Sequence, residues 1–341
     1  MVYYGGLLLY ISALYLLFGQ MKRKDRATAP FFSLACLGVI LFQGFRAFTV
    51  GTDLASYLPG YLAIGKSGFS QLDYQNYEVG YVVLNKILYR LGLDTRGFLI
   101  AVAAIVQIPI FYTMGRYSKK PLLSILWYFA FGNFLMTFSG LRQSIAMSLC
   151  FAAYYFIRER KLIFFCLAIL FASLFHFSAL FCLLLYPVYF VKLDKRKFLA
   201  AVGIMAVVFI FRGPLFSFLS RFYYGEAVAA TSTGAYTMFI AYALLFLLSF
   251  HKKDEDEDYI GLRNILLLLT MVYSFAPMHD YVARIGYPLS LYMTVFVPKL
   301  VKSYDVTPKG VYYGGCYLLL TICFFYFLGG LDTLPFRFGV G

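Results

Sequence analysis

Apolar runs of nearly the length needed to cross a bilayer recur along the whole chain, and short basic clusters separate them. The runs cover 2–18, 98–114, 122–138, 198–211, 236–250, 260–276 and 311–328; a spanning helix needs roughly 20 residues. Hydrophobic residues make up 62% of the chain and charged ones 13%, whereas a soluble domain is about 45–50% apolar. No stretch is left for a soluble domain, so residues 1–341 read as one integral membrane domain.

A net charge of +14 would by itself suit a nucleic-acid partner. The Lys and Arg residues sit between apolar runs, however, and not on one polar face. The expected partner is the lipid bilayer, with no nucleic acid. The first run ends in Met21-Lys22-Arg23-Lys24 without a small-residue cleavage site, which reads as a retained helix. The six Cys residues lie singly inside apolar runs, so neither a disulfide framework nor a zinc site is expected.

Basic clusters mark the cytoplasmic ends of membrane helices. They occur at Lys22/Arg23/Lys24/Arg26, Arg116/Lys119/Lys120, Arg158/Arg160/Lys161, Lys192/Lys195/Arg196/Lys197, Lys252/Lys253 and Lys299/Lys302/Lys309. The chain between successive clusters is long enough for a helical hairpin that turns outside. The outer turns are then 46–78, 139–143, the neighbourhood of His176, 213–235 and 277–284. The stretch 80–93 is apolar but short and carries Asn85, Lys86 and Arg90; it reads as an interfacial or re-entrant helix. The expectation is an all-α polytopic protein with about twelve transmembrane helices plus that short one, both termini outward. The acidic run Asp254 to Asp258 reads as part of a solvated cytoplasmic loop, 251–259.

The outer turns carry Arg46, Arg142, Arg212, Arg221, Arg284 and Arg337 but a single Lys, Lys66, although Lys and Arg are equally common in the chain. The planar fork of Arg grips phosphate oxygens in pairs, so this bias fits a phosphorylated or diphosphate ligand. The bland alternative is that each Arg snorkels or pairs at a helix end. Arg142 follows Ser139-Gly140-Leu141 at an expected helix start, where Ser139 is a candidate cap. A cation there opposes the helix dipole unless an anion stands between them. Arg284 follows Asp280, with which it can pair along the helix.

The segment Arg46 to Asp53, followed by Tyr57 and by Tyr77-Glu78-Val79-Gly80-Tyr81, combines a Gly turn, two carboxylates and several Tyr. Carboxylates bind sugar hydroxyls and can take a proton from one, while aromatic rings cover sugar faces. Asp53 and Glu78 can equally be helix caps. His176 interrupts an apolar hairpin at its tip, either as a bonded core residue or as a working one. The stretch 222–236, rich in Tyr, Gly, Ser and Thr, is a lid or a connection.

In order and spacing, Arg46…Val50-Gly51-Thr52-Asp53…Tyr57, Tyr77-Glu78-Val79-Gly80-Tyr81, Gly140-Leu141-Arg142-Gln143, Phe175-His176-Phe177-Ser178 and Leu334-Pro335-Phe336-Arg337 resemble the EpsG family of bacterial exopolysaccharide and capsule polymerases. Phe336 stands where that family has Tyr, with loss of a hydroxyl. The resemblance implies a GT-C-like fold in the bacterial cytoplasmic membrane, working on its extracytoplasmic face. It also implies a Wzy-type reaction that joins undecaprenyl-diphosphate-linked glycan units, with a flippase and a chain-length regulator as pathway partners.

The expected catalytic residues are Asp53, Glu78, His176 and Arg142. The expected substrate- and diphosphate-binding set is Arg46, Thr52, Tyr57, Tyr77, Arg142, Gln143, Asp280, Arg284 and Arg337. The outer carboxylates form no cluster of the kind that holds Mg2+, so arginines are expected to carry the electrostatic work, without metal or cofactor. A lipid-linked oligosaccharide flippase or other transporter, and a related membrane ligase or acyltransferase, are the competing readings. A transporter calls for polar residues in mid-membrane, whereas charge here gathers at the ends of the apolar runs.

Overall fold

An apolar chain in lipid must satisfy its backbone within its own segments, which leaves helices as the economical solution for runs of this kind. The structure, a computed structural model, describes residues 1–19, 24–68, 70–74, 77–192, 195–224, 236–251, 256–278, 280–329 and 332–339. The regular structure among these residues is helical. Their one extended pairing is an antiparallel bridge between Arg46 and Phe338.

Thr95–Tyr117, Glu257–Met278 and Lys309–Phe327 are each long and apolar enough to cross a membrane. The pairs Pro121–Ala130 with Asn133–Ser139 and Leu199–Ile210 with Arg212–Phe218 bring the number among the described residues to five if each bent pair is one span. Against the expectation of about twelve transmembrane helices, the other apolar segments form shorter helices such as Val2–Phe18, Leu162–Ser173 and Tyr236–Leu248. The run 122–138 bends by 54° because Gly132 takes a left-handed conformation, φ +81°, between its two halves.

The helices segregate by exposure. Pro121–Ala130 and Leu141–Ala152 are almost wholly buried, while Lys309–Phe327 and Leu162–Ser173 expose large apolar side chains. Val311, Leu318, Leu319, Ile322, Ile163, Phe164 and Leu167 are all exposed. Apolar surface on this scale suits lipid and not water.

Inside, Gln43, Gln107, Tyr128 and Thr137 form a buried polar network. Gln107 donates to Gln43 Oε1 at 2.8 Å, Tyr128 donates to Gln107 Oε1 at 3.0 Å, and Gln43 donates to the Thr137 hydroxyl. Such bonds are strong in a low dielectric. They anchor the segment that ends at Phe138 and Ser139, just below the site described next.

The short piece 80–93 contains the helix Val79–Arg90, about 18 Å long at 1.5 Å per residue and thus too short to span. Its Lys86 is buried and donates to Ser67 Oγ and Gly68 O, each at 2.6 Å.

The segment 46–78, expected as an outer loop, holds the helix Leu54–Lys66, and 213–224 belongs to the helix Arg212–Tyr224. Residues 225–235 lie outside the described residues. The acidic run also needs correcting. Asp258 is buried at the start of the helix Glu257–Ser274, where it accepts from Tyr154 and Tyr189 and pairs with Arg158 and Lys299. A helix that starts inside the run turns one of its carboxylates inward.

Candidate functional site

Three distant stretches meet at the ends of their helices and make a rigid collar. Arg46, 1% exposed, donates to the carbonyls of Gln43 (2.8 Å), Val50 (3.1 Å) and Phe138 (3.1 Å), and its guanidinium lies 5.1 Å from the centre of the Phe138 ring. Gly51 N–H donates to Asp332 O at 3.1 Å, Ala47 N–H to Arg337 O at 2.8 Å, and Gly339 N–H to Phe45 O at 2.9 Å. The Thr52 amide donates to Ser139 Oγ at 2.9 Å. Gly51 is at φ +116°, and a Cβ there would collide with the Phe138 carbonyl. Only Gly fits both demands.

Two expectations change here. Arg46, expected to hold diphosphate, is consumed by backbone carbonyls beneath the surface; a fully desolvated guanidinium needs those acceptors. Ser139, expected to cap the next helix, serves Thr52 instead, and Gly140 occupies the cap position of Leu141–Ala152 without a side-chain bond.

Above the collar stand Arg142, Glu78 and His176. Arg142 opens the helix Leu141–Ala152, Glu78 precedes Val79–Arg90, and His176 sits between Leu162–Ser173 and the 3-10 helix Phe177–Leu184. The Gly80 amide, which donates to Leu174 O at 2.8 Å, docks the second of these helices on the hairpin tip. Arg142 Nη1 forms an ion pair with Glu78 Oε2, and its Nε donates to the Tyr57 hydroxyl at 3.3 Å. The Tyr77 ring centre lies 4.5 Å from the guanidinium carbon, a cation–π contact. Glu78 Oε1 is 3.0 Å from His176 Nδ1 and accepts the Phe177 amide at 3.2 Å.

Burial works to raise the pKa of Glu78, but the His176 hydrogen bond and the Arg142 charge outweigh it and hold the carboxyl at about 2. An ionised carboxylate only accepts, so the His176 Nδ1–H donates to it. The three side chains remain 19–27% exposed, within reach of a ligand. The anion that the Arg142 position calls for is therefore supplied in part by Glu78. Neither Glu78 nor Asp53, although each stands at a helix cap position, makes a side-chain capping bond.

Of the other expected residues, Tyr57 is buried and Tyr77 half-buried beside Arg142. Asp53 is half-buried and acts electrostatically on both phenols, and Thr52 is exposed. Gln143 donates to Arg284 O at 2.5 Å, which ties the helix Asp280–Leu291 to this edge. Arg284 is half-buried; the Asp280 side chain, and with it the expected ion pair, lies outside what is described. Arg337 is exposed beside the collar. Phe336 stacks on Phe42 at 4.2 Å among Tyr3, Tyr4, Phe138 and Phe338, so its ring fills an aromatic cluster.

Sequence reasoning missed Arg96. It donates to Gly44 O (2.8 Å), Arg46 O (2.5 Å) and Gly339 O (3.4 Å) and lies 4.5 Å from the Phe48 ring centre, which fastens the collar from a fourth segment. No local pattern announced it.

The family model described as the EpsG family matches residues 30–337, nearly the whole chain. No curated protein and no solved structure matches.

Proposed function

The chain belongs to the EpsG family, a Wzy-like exopolysaccharide polymerase family, and from that premise we propose that the Glu78–Arg142–His176 cluster is where it joins lipid-linked glycan units. The observation that carries this reading is the convergence of those three side chains from separate helices. The proposed substrates are oligosaccharide repeats on undecaprenyl diphosphate, and the proposed working face is extracytoplasmic.

In the proposed step, a hydroxyl of the incoming unit attacks the anomeric carbon of the growing chain. A new C–O bond forms, the bond to the lipid diphosphate breaks, and the hydroxyl proton passes to His176 Nε2. Positive charge builds on the sugar and negative charge on the leaving diphosphate. Arg142, whose Nη2 has no partner among the described residues, faces that developing negative charge. Arg284, whose carbonyl accepts from Gln143, and Arg337, whose carbonyl accepts from the Ala47 amide, are proposed as further diphosphate contacts.

Of the candidate bases Asp53, Glu78 and His176, this reading favours His176. A carboxylate held at about 2 is a feeble base near neutrality. Glu78 therefore orients His176 and balances Arg142, and His176 takes the proton. Asp53 lies beside the tyrosines, placed to hold a sugar hydroxyl.

The test is polymerisation of synthetic lipid-linked repeat units by purified protein in liposomes, read as a ladder on a gel. His176→Gln is expected to slow ladder growth by a factor of roughly 10² or more. Growth at the wild-type rate would remove His176 from the reaction. Glycan delivered to a different acceptor, or translocation without chain growth, would favour a ligase or a transporter.

A further inference from the structure

A second polar centre lies at the other end of the helix that carries Arg142. Leu141–Ala152 continues, after the single turn residue Ala153, into Tyr154–Arg158. Arg142 and Arg158 are therefore separated by roughly 24 Å along the rod at 1.5 Å per residue, most of a hydrocarbon thickness of about 30 Å. The basic clusters mark this far end as cytoplasmic.

Segments that the sequence presented as separate loops meet there around a cavity of about 380 Å3. Arg116 and Lys119 come from the end of Thr95–Tyr117 and just beyond it, Arg158 from Tyr154–Arg158, and Lys299 from Met293–Ser303. The acidic side chains of the wall are already engaged within the protein. Asp258 takes Lys299, Arg158 Nε at 3.2 Å and the Tyr189 hydroxyl at 2.7 Å. Asp256 accepts the Tyr259 amide at 2.6 Å, and Glu257 pairs with Arg160.

The bases are not matched in the same way. Arg116 and Lys119 are exposed and have no carboxylate partner among the described residues, and Arg158 engages its carboxylate through Nε. The Tyr117 ring centre lies 4.8 Å from the Arg158 guanidinium and 5.7 Å from that of Arg116, so the two forks share one aromatic neighbour.

We infer that this cavity binds a phosphate-bearing group from the cytoplasmic side. Two guanidinium forks and an ammonium over committed carboxylates leave surplus positive charge, and planar forks suit phosphate oxygens. The volume is in the range of small-ligand sites, about 300–1,000 Å3. Both an anionic lipid headgroup of the inner leaflet and a soluble phosphorylated molecule offer that chemistry. The site is separate from the diphosphate site proposed above.

The experiment uses the full chain in phosphatidylcholine nanodiscs. Inorganic pyrophosphate is titrated in one arm; in the other, phosphatidic acid is included and retained lipid is read by native mass spectrometry. Arg116→Gln with Lys119→Gln, both at exposed positions, is expected to weaken binding at least tenfold, while Arg142→Gln leaves this site intact. That dependence for pyrophosphate assigns a soluble ligand, and for phosphatidic acid a headgroup. The inference is overturned if neither probe binds, or if the double variant binds as wild type does.

Discussion

Arg46 and Arg142 belong to neighbouring parts of one motif set, and the structure uses them in opposite ways. Arg46 is sealed beneath the collar with its donors on three backbone carbonyls. Arg142, on the surface above, meets a carboxylate, a phenol and an aromatic face and keeps an open edge. The first arginine holds the chain in place, and the second stays partly exposed, where the proposed function puts its chemistry. The comparison teaches that a charged residue in a conspicuous motif is read by what its donors already hold.

The largest expected effect falls on the buried member. Arg46→Ala leaves three carbonyls in a dry interior without their donor and is expected to cost roughly 4 kcal/mol or more, seen as loss of monodisperse protein in detergent. Recovery of wild-type amounts with an unchanged melting temperature would erase the contrast. Arg142→Lys is next. The charge remains, so the fold should survive, but the planar fork is lost. Chain growth should fall about 100-fold, or about 2.7 kcal/mol in the barrier. A variant that melts early and polymerises normally would place Arg142 with Arg46.

Third is the glycine that lets the collar close. Gly51→Ala needs a left-handed backbone and meets the Phe138 carbonyl; the expected loss is about 2 kcal/mol of stability, measured as a lowered melting temperature. Polymerisation per folded molecule should change less than it does for Arg142→Lys. If activity collapses while melting is unchanged, the collar takes part in the reaction itself.

Much of this contrast was written in the sequence, though not its sense. The strings around Gly51, Glu78, Arg142 and His176 each pair a polar residue with the end of an apolar run, and Glu78, Arg142 and His176 do meet in the fold. What no run or period encodes is which partner a side chain meets across the fold. Glu78 and Arg142 meet through the docking of Val79–Arg90 on the hairpin tip, and Arg96 fastens the collar from a helix that looked merely apolar. The broken spans were illegible for a related reason: a run that bends at Gly132 has the same composition as one that does not. Asp258 was hidden by its acidic neighbours, because a charge run reads as solvated until the helix start is placed.

The smallest expected effect separates the two arginines by pH. The acceptors of Arg46 are carbonyls, which do not titrate, so the penalty of Arg46→Lys should be the same from pH 7 to pH 3. The acceptor of Arg142 is Glu78, held at about 2 against an ordinary 4.5. A depressed carboxyl pKa stabilises the fold above the ordinary value and ceases to do so as pH falls toward the depressed one. Glu78→Gln should therefore lower the melting temperature by a constant margin above about pH 5, on the order of 1 kcal/mol for a partly exposed pair. That margin should shrink between 4.5 and about 2. A margin that stays flat through this window would mean that the ion pair adds nothing to the fold. Arg142 and Glu78 would then be held in place by the collar and the hairpin alone.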